Sequence, residues 1–508
     1  MTRPWFSVNR SKTSADTWID RTCVDANRDR GDLVRPHSMM IRPIELADVL
    51  PRLGRWPGSW LGSSLFGVAC ILLLGGCTST RPTLATARQS FAVGDVSAAR
   101  ETLITLAEKN DRYADAAELD LALVELSASD ARAAEQRLRK LRDRFDAQPD
   151  ISPLREAASI ISDDTARAFR PAGYEQVMIR AMLAVCSLAG DGTDAEAYTL
   201  QATMKQNELA EDASERGIAN VSELYQPIAV APYLRGILRE ATHHDFDDAG
   251  RAYQLVSSLQ PGFVPAAADI ARASGGAHSA PGHGVLYVLA CVGRGPVLQE
   301  TTAPTTTAAL QIASALLNVE TNDDSNNGRS DRNNRAIALG NIASVKVPKV
   351  TIPASEISAV GVHIDGELFG ATQTLTDVGR LAIDQSDAEM PWTIARAVLR
   401  RVTKETAVAK ARDSLGLTGT AGSLFHFAAA SAWSSTEKAD TRCWGMLPRE
   451  VQVLRAELPC GRYQIQLQPL GFSGQTIAAG EQRSVEITDA TNHYLIVMAP
   501  DRVLYVSP

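Results

Sequence analysis

Covalent staples and basic charge are both in short supply in this sequence. Cysteine occurs seven times in 508 residues and never as C-x-x-C, which argues against a disulfide-dense miniprotein, a zinc ribbon and a thioredoxin-like site. Lysine and arginine, 51 together, are outnumbered by 59 aspartates and glutamates, a net charge of −8. A nucleic-acid binder displaces counterions from phosphates with a clustered basic surface, so DNA and RNA are not expected partners. G-x-x-x-x-G-K-[ST], G-x-G-x-x-G and G-x-S-x-G are all missing; nucleotide binding and the common serine-hydrolase elbow therefore lack their backbone devices. The nearest stretch, Gly416 to Gly422, has no lysine after it and reads as a flexible turn. Only one apolar run exists, which excludes a polytopic membrane protein. With 45% hydrophobic and 22% charged residues the composition is otherwise that of a globular protein, and the length implies roughly two to four cores.

The apolar run, Trp60 to Leu74, follows Arg52 and Arg55 and ends in Gly75-Gly76-Cys77. It is shorter than the about 20 residues a spanning helix needs, whereas a basic flank, a short apolar core and small exit residues describe a secretory signal. Leu74-Gly75-Gly76-Cys77 resembles the lipobox of bacterial lipoproteins. That resemblance implies cleavage between Gly76 and Cys77, a diacylglycerol on the Cys77 thiol and an N-acyl chain such as palmitate on the new amine, with no further cofactor. Residues 1–76 are then leader and signal peptide, and 77–83 a lipid-anchored linker. Residues 1–38, polar and without apolar period, are expected to be disordered or translated upstream sequence, with Met39 or Met40 as the start. The expected location is the cell membrane or outer membrane, periplasmic face; Thr78 after the cysteine favours the outer membrane.

From Leu84 the sequence repeats. Leu84, Ala87, Phe91, Gly94-Asp95, Ala98-Ala99 and Leu103 recur 35 residues on as Leu119, Ala122, Leu126, Ser129-Asp130, Ala133-Ala134 and Leu138. Two weaker units follow, Ile179 to Gln201 and Tyr233 to Pro261. In the second, Gly236 is expected to permit a close helix crossing on Ala249 and Tyr253, and Pro261 to end the second helix. The period resembles that of a tetratricopeptide array, about 34 residues. Residues 84–273 are accordingly expected to form a helical solenoid, with Leu84, Phe91, Ala98, Leu119, Leu126, Ala133, Gly236, Ala249 and Tyr253 as packing residues and a groove open to partners. Leu154 to Phe169 is expected as an additional helix. His243-His244-Asp245, with Asp247-Asp248, reads as a solvated helix end, not a metal site.

Beyond Pro261 the texture changes. Ser274 to Gly284 is a Gly, Ser and Pro linker, and Val285 to Val292 is a continuous apolar run expected as a buried strand, closed by Gly293-Arg294-Gly295-Pro296. Val345 to Ile352 and Ala359 to Leu368 alternate like strands; Met390 to Leu415 and Ser423 to Trp433 read as helices; 321–334 is a polar loop. Val451 to Leu458, Arg462 to Leu467, Glu481 to Ile487 and Tyr494 to Met498 read as strands. The fold class expected is multidomain: an all-α repeat region, a mixed α/β domain over 285–437 and a small antiparallel β domain over 438–508.

Asp440, Arg442 and Trp444, within A-D-T-R-C-W and followed by Leu447-Pro448, complete a pattern with the lipobox, the helical repeats and the G-x-G-P turn. Together these resemble a family of uncharacterised bacterial lipoproteins with the same order of parts, over roughly 173–467, and the resemblance carries no activity. Asp440 and Arg442 are expected to pair and Trp444 to cover a sheet edge, locking domains together. Cys443 and Cys460 are expected as separate thiols, with a disulfide as the alternative, and Cys186 and Cys291 as core. The leading expectation is a non-catalytic envelope scaffold binding protein partners through its repeats. The alternative is an envelope hydrolase acting on peptidoglycan or peptides, with His363, Asp365 and Glu367 on one strand face as acid or base.

Overall fold

The repeat marks helix joints. In the computed structural model, which describes residues 83–109, 111–148, 168–320, 342–416, 419, 420, 423 and 438–507, helices α1 (Leu84–Ala92), α2 (Val96–Glu108), α3 (Ala114–Ser127) and α4 (Ala131–Asp146) form two successive pairs. Gly94 and Ser129, the equivalent joint positions, take positive φ of 100° and 63°. The aspartate after each caps the next helix, Asp95 accepting from the Ala98 amide at 2.9 Å and Asp130 from the Ala133 amide at 3.1 Å. A left-handed residue that stops one helix and an aspartate that starts the next is a local code, which is why it repeats visibly. It also corrects the packing assignment: Ala98 and Ala133 sit half-buried at the caps, and the fully buried small residues are Ala99 and Ala134.

Further helices follow: α5 (Gly173–Ala189), α6 (Ala195–Glu215), the single turn α7 (Val221–Leu224), α8 (Val230–Glu240), α9 (Phe246–Leu259) and α10 (Ala266–Ser274). Gly236 does permit a close crossing: a Cβ there would lie 2.6 Å from Cε1 of Tyr253, and Ala249 and Tyr253 are fully buried. The expected helix Leu154 to Phe169 lies, but for its last two residues, outside the described residues, as do the 321–334 loop and all of Ser423 to Trp433 except Ser423 itself.

Eleven described strands follow the helical part. β1 (His283–Arg294) is the axis of a five-stranded sheet, flanked by β7 (Pro448–Pro459) on one side and β10 (Asn492–Ala499) on the other, with β6 (Gln373–Asp377) and β11 (Tyr505–Ser507) at the edges. The β1–β7 pair is antiparallel and the β1–β10 pair parallel. Both faces of β1 are covered. Val285, Tyr287, Leu289 and Cys291 join the core shared with the helices; Leu286, Val288, Ala290 and Val292 pack on a second sheet. Burial on both faces explains why this strand is a continuous apolar run. The second sheet, β5 (Glu367–Ala371), β4 (Ile357–Ile364), β8 (Gly461–Gly471) and β9 (Glu481–Ile487), is antiparallel. A third layer joins the antiparallel pair β2 (Val297–Pro304) and β3 (Ser344–Thr351) to α11 (Thr307–Glu320), which lies between them in the chain, and to the long α12 (Val378–Ser414), which starts a dozen residues before the sequence pattern indicated.

Three expectations change. The boundary at 437/438 does not separate two β domains, because β7 and β10 lie on either side of β1 in one sheet; 80–508 forms one compact unit. The 274–284 linker is anchored, with the Ala280 amide on Glu457 at 2.7 Å, the Gly282 amide on Asp489 at 2.9 Å and His278 buried against Asn492 at 2.7 Å. Finally, His363, Asp365 and Glu367 do not share a strand face. Asp365 and Gly366, with φ of 51° and 90°, form the two-residue turn of the β4–β5 hairpin, an Asp-Gly sequence suited to that geometry.

Candidate functional site

Helix α3 is buried on nearly every side, and charged residues within it must find partners. Asp120, fully buried between Leu119 and Leu121, accepts Nε of Arg88 from α1 at 2.7 Å and the Met446 amide at 3.0 Å. Arg88 reaches on to the Cys443 carbonyl at 2.5 Å, with its Nη1 3.7 Å from the Cys443 sulfur. Glu175 at the start of α5 accepts the Trp444 amide at 2.7 Å and, through its other oxygen, the Ala172 amide at 2.8 Å. Arg442 pairs with Asp440 at 2.6 Å, donates to the Arg112 carbonyl at 3.0 Å and lies over the Phe169 ring. Three helices from three successive units thus hold one irregular segment, 442–446, largely by its backbone; this arrangement is the clasp.

The clasp unites what the sequence singled out. Asp440, Arg442 and Trp444 are all in it, and Trp444 is fully enclosed in the core between helices and sheet, deeper than a sheet edge. The G-x-G-P turn meets the same segment: a Cβ on Gly295 would lie 1.9 Å from the Leu447 carbonyl oxygen, and one on Gly445 2.3 Å from Cζ of Arg88. Only glycine fits against backbone at 295, and a side chain at 445 would have to push the Arg88 guanidinium off Asp120 and Cys443. Leu84 and Phe91 line a cleft of about 470 Å3 beside the clasp, together with Leu106, Val297, Met446 and Leu447. Phe91 stacks on Tyr505 with ring centroids 5.0 Å apart. Leu119 and Leu126 are core, and Gly236, Ala249 and Tyr253 lie in the fourth unit, apart from the clasp. Gly76 and Cys77 fall outside the described residues.

Burial dominates the electrostatics. It pushes the Glu175 carboxyl up to about 7, against the pull of the Trp444 and Ala172 amides, and the Cys443 thiol up to about 11, against Arg88. Burial works against the Arg88 cation, but Asp120 and Cys443 outweigh it, so Arg88 stays charged. Cys443 and Cys460 are both free thiols at opposite ends of β7, one buried and one exposed; an extended strand holds its ends apart. Cys186 and Cys291 are buried.

A second buried polar cluster sits in the fourth unit. Glu240 of α8 accepts the Tyr253 hydroxyl at 2.5 Å and is met by the Arg272 guanidinium, with Nη2 at 2.8 Å; Arg272 also pairs with Asp269 at 2.8 Å. Arg455 of β7 donates to the His278 carbonyl at 2.7 Å and to Glu457 at 3.2 Å. His243 bonds the Ala490 carbonyl at 2.8 Å and His244 is exposed. Among the described residues no group of His, Cys, Asp and Glu is placed to hold a metal ion, and no helix is long and apolar enough to cross a membrane.

Sequence reasoning missed Arg88, Asp120 and Glu175. The signal that finds them is a carboxylate inside a helix apolar all round, as in L-D-L at 119–121. Comparison with protein-family models, curated proteins and solved structures gives no match.

Proposed function

We propose that the chain is a non-catalytic, lipid-anchored protein of the cell envelope that holds protein partners on tetratricopeptide-like helix pairs. One observation supports this above others: α1, α3 and α5 each send a charged side chain, Arg88, Asp120 and Glu175, to the backbone of one irregular segment. Stacked helix pairs present extended surfaces suited to peptide backbones. In this chain part of that surface is filled by its own residues 442–446, so a partner engages what remains beside them, at the rim of the cleft. The anchor in this reading is the lipid on Cys77, the sole prosthetic group it requires, and the order of parts is that of the lipoprotein family the sequence resembles.

Two measurements test the reading. A photo-crosslinking residue at the exposed rim position Gln299 is expected to give a defined envelope adduct, and one at exposed Glu486 on the far sheet is expected to give none. Adducts at both positions or at neither would overturn the binding surface. Cys77→Ser should leave the precursor uncleaved and unlabelled by palmitate, because the peptidase requires the acylated thiol. Unchanged labelling and processing would overturn the anchor.

A further inference from the structure

We propose that the cleft beside the clasp binds the acyl chain of a single-chain anionic amphiphile, a fatty acid or a lysophospholipid. Its volume of about 470 Å3 falls in the range of small-ligand sites, roughly 300 to 1,000 Å3. Its walls are mainly aliphatic, from Leu84, Leu106, Val297, Met446 and Leu447, with Phe91 the principal ring. Such walls offer few directional contacts and select flexible apolar mass, and Met446 adapts readily to a chain's bends.

Charge picks the head group. In a chain of net charge −8, this cleft is lined by two guanidiniums, Arg88 and Arg294, and, among the described residues, by no aspartate or glutamate. Arg88 is engaged with Asp120 and the Cys443 carbonyl. Arg294 is half-exposed and donates to the Gln89 amide oxygen at 3.1 Å, and among the described residues no carboxylate pairs with it. A carboxylate or phosphate at the mouth therefore meets Arg294 while the tail lies on Phe91 and Leu106. A peptide in the same place would leave its backbone groups facing aliphatic walls without partners.

The test uses residues 80–508, the compact unit, and the fluorescent eighteen-carbon probe cis-parinaric acid. Saturated fatty acids should displace it with affinity rising about fourfold per methylene until the cleft is full, then levelling. Hexadecanol should compete about tenfold less well than palmitate, as one charge-assisted contact requires. Arg294→Glu should weaken palmitate by a similar factor, and Ala85→Trp, at an exposed lining position, should abolish binding with the melting temperature unchanged. Displacement by palmitate alone assigns a free acid; displacement also by a palmitoyl lysophospholipid assigns a membrane lipid, and both support the proposal. Equal competition by hexadecanol, no probe binding, displacement indifferent to both substitutions, or displacement only by a leucine-rich C-terminal peptide would each overturn it.

Discussion

At one end of the β1–β7 ladder, where Arg294 faces Pro448, Glu175 aims at backbone amides, one of them in a distant segment, while Asp120 beside it is shared between the Arg88 guanidinium and the Met446 amide; toward the other end, where Val285 faces Glu457, Glu240 is met by a guanidinium and a hydroxyl from its own helical layer. Both places bury carboxylates, and they differ in what compensates the charge. Glu240 has a counter-cation packed against it. Glu175 has amides, which offset desolvation only in part, and so its proton is held well above the usual carboxylate range. The first arrangement fixes helices to one another. The second ties a distant segment to them at a standing electrostatic cost.

The comparison is broken most severely by removing the best-compensated acid. Glu240→Leu leaves the Arg272 cation buried with Asp269 alone and strips the Tyr253 hydroxyl of its acceptor; a loss of about 3 to 5 kcal/mol in urea unfolding is expected. Asp120→Asn takes the counter-charge from the buried Arg88 but keeps an amide oxygen for Arg88 and for the Met446 amide, and should cost somewhat less, about 2 to 4 kcal/mol. The reverse order would mean that the clasp, not the fourth unit, is the stronger joint.

Next in size is a pH effect at the clasp. Glu175 titrates near its ordinary 4.5 when unfolded and at about 7 when folded. The folded state thus binds the proton more tightly, so this contribution is full below pH about 4.5 and is lost as pH rises to about 7. The fall is roughly 3 kcal/mol. Glu175→Gln should lower the slope of stability against pH across that window, with the remainder left to the other buried carboxylates that burial raises, Asp120 and Asp269; an unchanged slope would place the titration elsewhere.

Gly236→Ala sharpens the contrast from the other side. The new Cβ must displace the Tyr253 ring and with it the hydroxyl on Glu240, at about 1 to 3 kcal/mol. Asp247→Ala, in the first turn of α9, should stay within about 0.5 kcal/mol. Similar melting temperatures for the two variants would contradict the crossing.

What the sequence could show was local. Gly94-Asp95 and Ser129-Asp130 are legible because one residue stops a helix and the next caps another, within a few bonds of backbone. Gly236 was legible because a close crossing admits little else. The pairing of β1 with β10 was not, since their residues lie some 200 positions apart and parallel partners carry no turn between them. The clasp was half legible: A-D-T-R-C-W stood out, but Arg88 meets Cys443 across 355 positions, and no spacing rule reaches that far. Asp365 failed for a different reason. Alternation placed it on a strand, and Asp-Gly made it a turn.

The smallest effect is the most local, and thiols report it. In residues 80–508 there are four cysteines: Cys460 is exposed, and Cys186, Cys291 and Cys443 are buried. The thiolate is the reactive form, and burial holds Cys443 at about 11 and Cys291 at about 12, so Cys460 should react first with a maleimide. The other three differ in what must open. Cys291 lies in β1 with strands on both sides, and Cys186 is enclosed in α5; exposing either requires unfolding the core. Cys443 lies in the clasp, outside the paired strands, and the expectation is that the clasp releases while the β1–β7 ladder stays paired. Cys443 should therefore be second to react. Asp120→Asn should quicken it by about tenfold for each ~1.4 kcal/mol withdrawn from the clasp, with Cys291 scarcely changed. An equal acceleration of Cys443 and Cys291 would mean that the clasp opens only when the sheet does, and that the two ends of the ladder form one cooperative unit after all.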